Sequence, residues 1–166
     1  NIHFVFSGSR SQRAFEILKG RDVWEGKVDL DKLNGVIFLL FKPQGRGKGL
    51  TNEIPTQEQI KEFASLITAG KTKFKIGIDS CLVNKIKKLD MFPKEQEQFV
   101  DTCEGSRTSV YVSPDMKLMP CSFGNKETDG VSIKERSIKE VWKEGEPFRV
   151  FRKVLTNEPA CCPFGL

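Results

Sequence analysis

The chain has 166 residues and a mass of 18.8 kDa, room for one ordinary domain or part of a larger protein and too little for a complete eight-unit βα barrel, which needs about 250 residues. Hydrophobic residues make up 38% and charged residues 30%, a balance that predicts a soluble packed core and excludes wholesale disorder. The net charge of +5 comes from 27 basic and 22 acidic side chains scattered among one another, so nucleic acid is not indicated as a partner.

In chain order, an apolar strand is expected over residues 3–7, a helix over 11–19 ending at Gly20, and a second strand over 35–41. The last of these holds the longest apolar run, Val36-Ile37-Phe38-Leu39-Leu40-Phe41, far below the roughly 20 residues a membrane helix requires. A helix is expected over 56–69, where Ile60, Phe63, Ala64 and Ile67 recur on one face, Thr56 and Gln59 form a capping-box pair, and Gly70 supplies a left-handed stop. A third strand follows over 74–78. The second and third strands lack polar alternation, as parallel strands buried on both faces do. Strand and helix in alternation imply right-handed crossovers in one parallel sheet.

Beyond residue 81 the texture changes. Residues 82–102 are charged, contain Pro93 and read as a connector with some helix. Residues 108–112 alternate, turn through Ser113-Pro114-Asp115-Met116 and return over 117–119, the pattern of a hairpin. Ser137 and Glu140 form a second capping box, with Ile138, Val141 and Trp142 on one face and Gly145 as the stop.

The five cysteines are Cys81, Cys103, Cys121, Cys161 and Cys162. An odd number without a secretory signal points to a reducing, cytoplasmic compartment, where clustered thiols more often hold metal than form disulfides. Cys103 precedes the hairpin and Cys121 follows it. Antiparallel strands return their outer ends to one place, so these two thiols are expected to be neighbours. Cys161 and Cys162 lie between Pro159 and Pro163, in a stiff loop that can present one or both sulfurs to that pair. Soft thiolates select zinc or an iron-sulfur cluster. The lack of a tight C-x2-C knuckle leans toward the cluster, and reduced core cysteines are the plain alternative.

The segment Cys103-Glu-Gly-Ser-Arg-Thr-Ser-Val-Tyr-Val-Ser-Pro-Asp-Met-Lys-Leu-Met-Pro-Cys121 resembles the auxiliary-cluster extensions of radical SAM enzymes, Twitch and SPASM, in which a cysteine is followed by a hairpin with a Ser-Pro-Asp-Gly turn and then Pro-Cys. The stretch Ser137-Ile-Lys-Glu-Val-Trp142, followed by Phe148, Arg149 and further cysteines, resembles the helix that leads back to the cluster there. Met116 replaces the turn glycine, so the turn must take a conformation that a side chain tolerates. The full SPASM cysteine set is absent, which makes a single auxiliary cluster, the Twitch arrangement, the expectation.

The resemblance implies a fold and a division of labour. The fold class is α/β, with residues 1–81 as the C-terminal βα units of a partial TIM-type barrel, 82–102 as connector, and 103–166 as a small hairpin-plus-helix domain. That last domain holds one 4Fe-4S cluster through Cys103, Cys121 and one or both of Cys161 and Cys162. The family's C-x3-C-x2-C motif for the catalytic cluster does not occur. The simplest expectation is that an N-terminal portion with the first three βα units precedes Asn1; a degenerate member without radical chemistry is the other. A complete enzyme cleaves S-adenosylmethionine reductively, abstracts a substrate hydrogen with the resulting radical, and needs a low-potential electron donor. Its substrate is a peptide or a small molecule.

Other candidates sit at strand ends. Ser7 is placed to bond the SAM ribose, or is an ordinary turn serine. The loop 42–49, with Lys42, Gly45 and Arg46, can receive an anion such as the SAM carboxylate or a substrate phosphate, or is a solvated turn. Asp79 can contact substrate, and Cys81 can be a cluster ligand or active-site thiol; the alternative is a capping Asp beside a buried Cys. His3 is packed or exposed rather than catalytic.

Overall fold

The apolar runs of the N-terminal half line up side by side. In the computed structural model, which describes residues 1–92, 94–95, 100, 102–158 and 162–165, the chain divides into two compact units, Asn1–Val100 and Asp101–Leu166. Cys161, Pro159 and Pro93 lie outside the described residues.

In the first unit Ile2–Phe6 (β1), Gly35–Leu40 (β2) and Lys75–Ile78 (β3) form a parallel sheet in that order, with Phe4 beside Phe38 and Phe38 beside Ile78. Sequential order with a helix after each strand is the arrangement of consecutive βα units. Central β2 buries Val36, Phe38 and Leu40. These three lie on one face, and Ile37 and Leu39 on the other are half-buried, so the expectation of burial on both faces is met only in part by β2 and not by β3, which lies at a sheet edge and is at most half-buried. β1, the other edge, alternates and exposes His3 and Val5.

Helices Ser11–Leu18 (α1) and Gln57–Ala69 (α2) follow the first two strands. The capping box of Thr56 and Gln59 is formed in full, and Gly70 ends α2 with φ of 57°, a left-handed turn that glycine enters without a Cβ penalty. Phe63 of α2 reaches the sheet, its ring centroid 4.6 Å from that of Phe6 and 5.0 Å from that of Phe38. A third helix, Ser80–Lys88 (α3), begins directly after β3. Its Leu82 and Ile86, one turn apart, join the same core. The stretch 82–102, expected as a connector, therefore opens with a helix built into the first unit.

The second unit is made of shorter pieces. Tyr111–Val112 (β4), Lys117–Met119 (β5) and Val131–Ser132 (β6) pair antiparallel in that order. The expected hairpin is present with a shorter first strand, because the Glu104 carbonyl accepts from the amides of Arg107, Thr108 and Ser109 and folds that segment into a turn. At the hairpin tip Met116 adopts φ of 60°, so a residue with a side chain occupies the left-handed region that a turn glycine ordinarily fills. Helix Ile138–Glu144 (α4) is capped by Ser137, whose hydroxyl accepts from the Glu140 amide. Gly145 is not left-handed, with φ of −57°. It is needed for space, since a Cβ there would stand 2.5 Å from the Val141 carbonyl oxygen. A further helix, Glu146–Asn157 (α5), starts at once with Pro147 in its first turn. Leu118, Val141 and Phe148 form one buried cluster of this unit, and Met119, Phe151 and Leu155 are buried as well. Among the described residues no helix is long and apolar enough to cross a membrane.

Candidate metal centre and strand-end cluster

The Cys103 loop is held by a polar clasp. Ser106 is fully buried with φ of 60°. Its hydroxyl donates to the Phe148 carbonyl at 3.1 Å. Arg152 on α5 spreads its guanidinium over the Ser106 carbonyl at 3.3 Å, the Ser106 hydroxyl at 3.2 Å, and the Trp142 and Lys143 carbonyls at 2.9 and 3.1 Å. One cation thus satisfies two carbonyls at the C-terminal end of α4 and ties them to the bend that follows Cys103.

Phe151 is the floor on which two cysteine-bearing segments rest. A Cβ at Gly105 would lie 3.0 Å from the Phe151 ring and 3.0 Å from the Pro120 carbonyl oxygen, so a glycine lets the backbone beside Cys103 settle against both. Phe164, two residues beyond Cys162, stacks edge-on against Phe151 with centroids 5.1 Å apart. The opposite side of Phe164 covers Gly124, where an added Cβ would be 2.7 Å from the ring.

Cys103, Cys121 and Cys162 are each half-buried. Burial pushes the Cys103 thiol above its ordinary value; the Gly105 amide opposes this, while the charges of Cys121 and Cys162 push it further. Cys121 and Cys162 therefore both lie within electrostatic reach of the Cys103 thiol. Among the described residues no three histidine, cysteine, aspartate or glutamate side chains are close enough together to hold a single metal ion. Cys103 also opens on a pocket of about 180 Å³ bounded by Thr102, Glu104, Arg107 and Thr108.

The first unit gathers another set of candidates. Lys42, just past β2, donates to Asp79 Oδ2 at 2.6 Å, with 10% and 16% of the two side chains exposed. The other oxygen, Asp79 Oδ1, accepts the Leu82 amide at 2.8 Å and caps α3. Burial alone would depress the Lys42 ammonium, but the hydrogen bond to Asp79 and the charges of Cys81 and Asp79 outweigh it and raise its pKa above that of an ordinary lysine. Lys42, Asp79 and Cys81 are thus one polar cluster at the carboxyl ends of β2 and β3. Cys81 also packs against the core of the first unit.

Ser7 is buried and meets a residue that carries no sequence signal, Glu53. Hydrogen bonds from Ser9 and then Ser7 lower the Glu53 carboxyl below its usual range, with Ser9 Oγ 2.6 Å away. Glu53 comes from a single 3-10 turn, Thr51–Glu53, too short to show periodicity. Gly45 and Arg46 lie on the preceding exposed turn, Gly45 with φ of 55°, and His3 is exposed.

Comparison with known proteins bears on the second unit. Residues 103–163 match the family model of SPASM, an iron-sulfur cluster-binding domain. No curated protein and no solved structure matches the chain.

Proposed function

With residues 103–163 a SPASM iron-sulfur cluster-binding domain, we propose that the chain is the C-terminal part of a radical SAM enzyme and that its second unit holds one auxiliary 4Fe-4S cluster. The match carries the reading, because it begins at Cys103 and takes in Cys121, Cys161 and Cys162. Donor chemistry supports it: the set is all thiolate, and Cys121 and Cys162 both act on the Cys103 thiol, as the ligands of an iron-sulfur cluster must. Cys161 is the fourth ligand in this reading.

When bound, such a cluster supplies a low-potential one-electron site beside the substrate. The chain's own residues do the holding. Arg152 and Ser106 fix the loop that carries Cys103, and Phe151 sets that loop and the Cys162 segment against one surface. In the first unit Lys42 and the Leu82 amide fix the plane of the Asp79 carboxylate, leaving each oxygen a further lone pair for a substrate donor. Arg46 on its exposed turn, with Gly45, would receive the SAM carboxylate, while Lys42 is taken up by Asp79. Ser7 is buried with its hydroxyl on Glu53 and holds that carboxylate rather than reaching the ribose itself. The substrate is a peptide or a small molecule, the electron donor is of low potential, and the compartment is the reducing cytoplasm.

Anaerobic reconstitution with iron and sulfide tests the reading. The expected result is equal iron and sulfide with the broad visible absorbance of a 4Fe-4S cluster, lost in the Cys103→Ala, Cys121→Ala double variant. Stoichiometric zinc without colour, or colour that survives the double variant, overturns it.

A further inference from the structure

On the side of α5 that carries Glu146, Val150 and Val154, successive turns of the helix build one wall of a pocket of about 300 Å³. Pro147 and Phe164 close it with apolar surface, and Asp129 stands at the other side. None of the described cysteines lines it. Its size is at the small end of ligand sites, which suits one side chain rather than a whole cofactor.

The chemistry of the lining is selective. Val150 is 55% exposed, an open apolar wall at the mouth of the pocket. Two carboxylates, Asp129 and Glu146, share the pocket, and none of its lining residues is basic, although the chain as a whole carries a net charge of +5. Asp129 is oriented by the Asn125 amide, which donates to Oδ2 at 2.7 Å. Glu146 is the first residue of α5. A carboxylate pair set in apolar walls is complementary to a long apolar stem with a cationic head, the shape of lysine and arginine. Neutral apolar groups would bury those carboxylates without a partner, which is costly.

We infer that this pocket seats a lysine or arginine side chain of a peptide partner, the stem against Val150, Val154 and Phe164 and the head between Asp129 and Glu146. The pocket takes none of the described thiols into its lining, but it lies wholly in the second unit and needs that unit folded; it gives the peptide class of substrate a recognition element of its own.

The test is fluorescence anisotropy on the full chain after reconstitution, with labelled acetyl-Ala-Ala-Xaa-Ala-Ala amides in which Xaa is arginine, lysine, citrulline or norleucine. The cationic peptides should bind at least fivefold more tightly than citrulline and norleucine. That preference should disappear in Glu146→Gln, Asp129→Asn and persist in Glu127→Gln, a carboxylate outside the pocket. Equal binding of the neutral and cationic peptides, no binding of any, or a preference unaffected by the double variant overturns the inference. Cluster loss with peptide preference intact would strike only the cluster reading, and the reverse result only this one.

Discussion

The two units reach stability by different routes. The first closes a parallel sheet with helices over a continuous apolar core, and the rings of Phe6, Phe38 and Phe63 meet at its centre. The second has two- and three-residue strands and a core cluster of Leu118, Val141 and Phe148. Its tightest features are a polar clasp at Ser106 and Arg152 and the Phe151 floor beneath the thiol segments. Small domains bury too little surface to stand on a core alone and draw on metals or cross-links. One unit is built by burial, then, and the other would be completed by the cluster proposed for its thiols.

Removing the metal is the strongest way to break that contrast. Chelation of the reconstituted protein should abolish amide-exchange protection across 102–158 while β1–β3 and α2 stay protected, because free energy of metal binding is folding free energy where no preformed site exists. A second unit that keeps its protection without metal would show it to be self-sufficient. The reciprocal experiment is Phe63→Ala, which empties the centre of the first core and should cost about 3–5 kcal/mol in denaturant unfolding of that unit, with the visible spectrum of the second unchanged.

Lys42→Met leaves the Asp79 carboxylate partly buried without its ion pair and should destabilise the first unit by roughly 2–4 kcal/mol. The same pair gives the first unit an alkaline limit. Because the folded pKa of Lys42 is raised above the ordinary 10.5, its contribution is complete below that value and is lost as pH rises through the folded one. Thermal melts of the wild type should fall over that range more steeply than those of Lys42→Met. The smallest change sharpens the contrast from the other side. Met116→Gly relieves a left-handed residue whose side chain is 46% exposed and should raise the stability of the second unit by about 1 kcal/mol.

What the sequence discloses follows the range of the interactions. The helix ending at Gly70 is legible in full, down to both halves of its capping box, because every determinant lies within a few residues. The hairpin is legible as alternation and a turn, though the grip of the Glu104 carbonyl on three amides, which shortens β4, leaves no trace in residue type. α5 is missing from the sequence reading despite having a signal, with Pro147 in its first turn and Phe148, Phe151 and Leu155 at helical spacing. β6 is two residues long and has no period to show. Asp79 and Cys81 draw attention by standing at a strand end, but the partner that raises their interest, Lys42, is 37 residues from Asp79. Only the fold joins them. The same holds for Glu53 beside Ser7 and for Arg152 beneath Ser106.

The parallel sheet of the first unit carries a practical consequence. Among the described residues β1 and β3 each pair with β2 alone, so each offers an outward row of backbone donors and acceptors, and Val5 is exposed on the first. Unprotected rows of this kind act as templates for additional chain and drive edge-to-edge association. A preparation of these 166 residues is accordingly expected to recruit strands from other copies as concentration rises, and charged substitution along β1, beginning at Val5, is the direct way to keep it in solution.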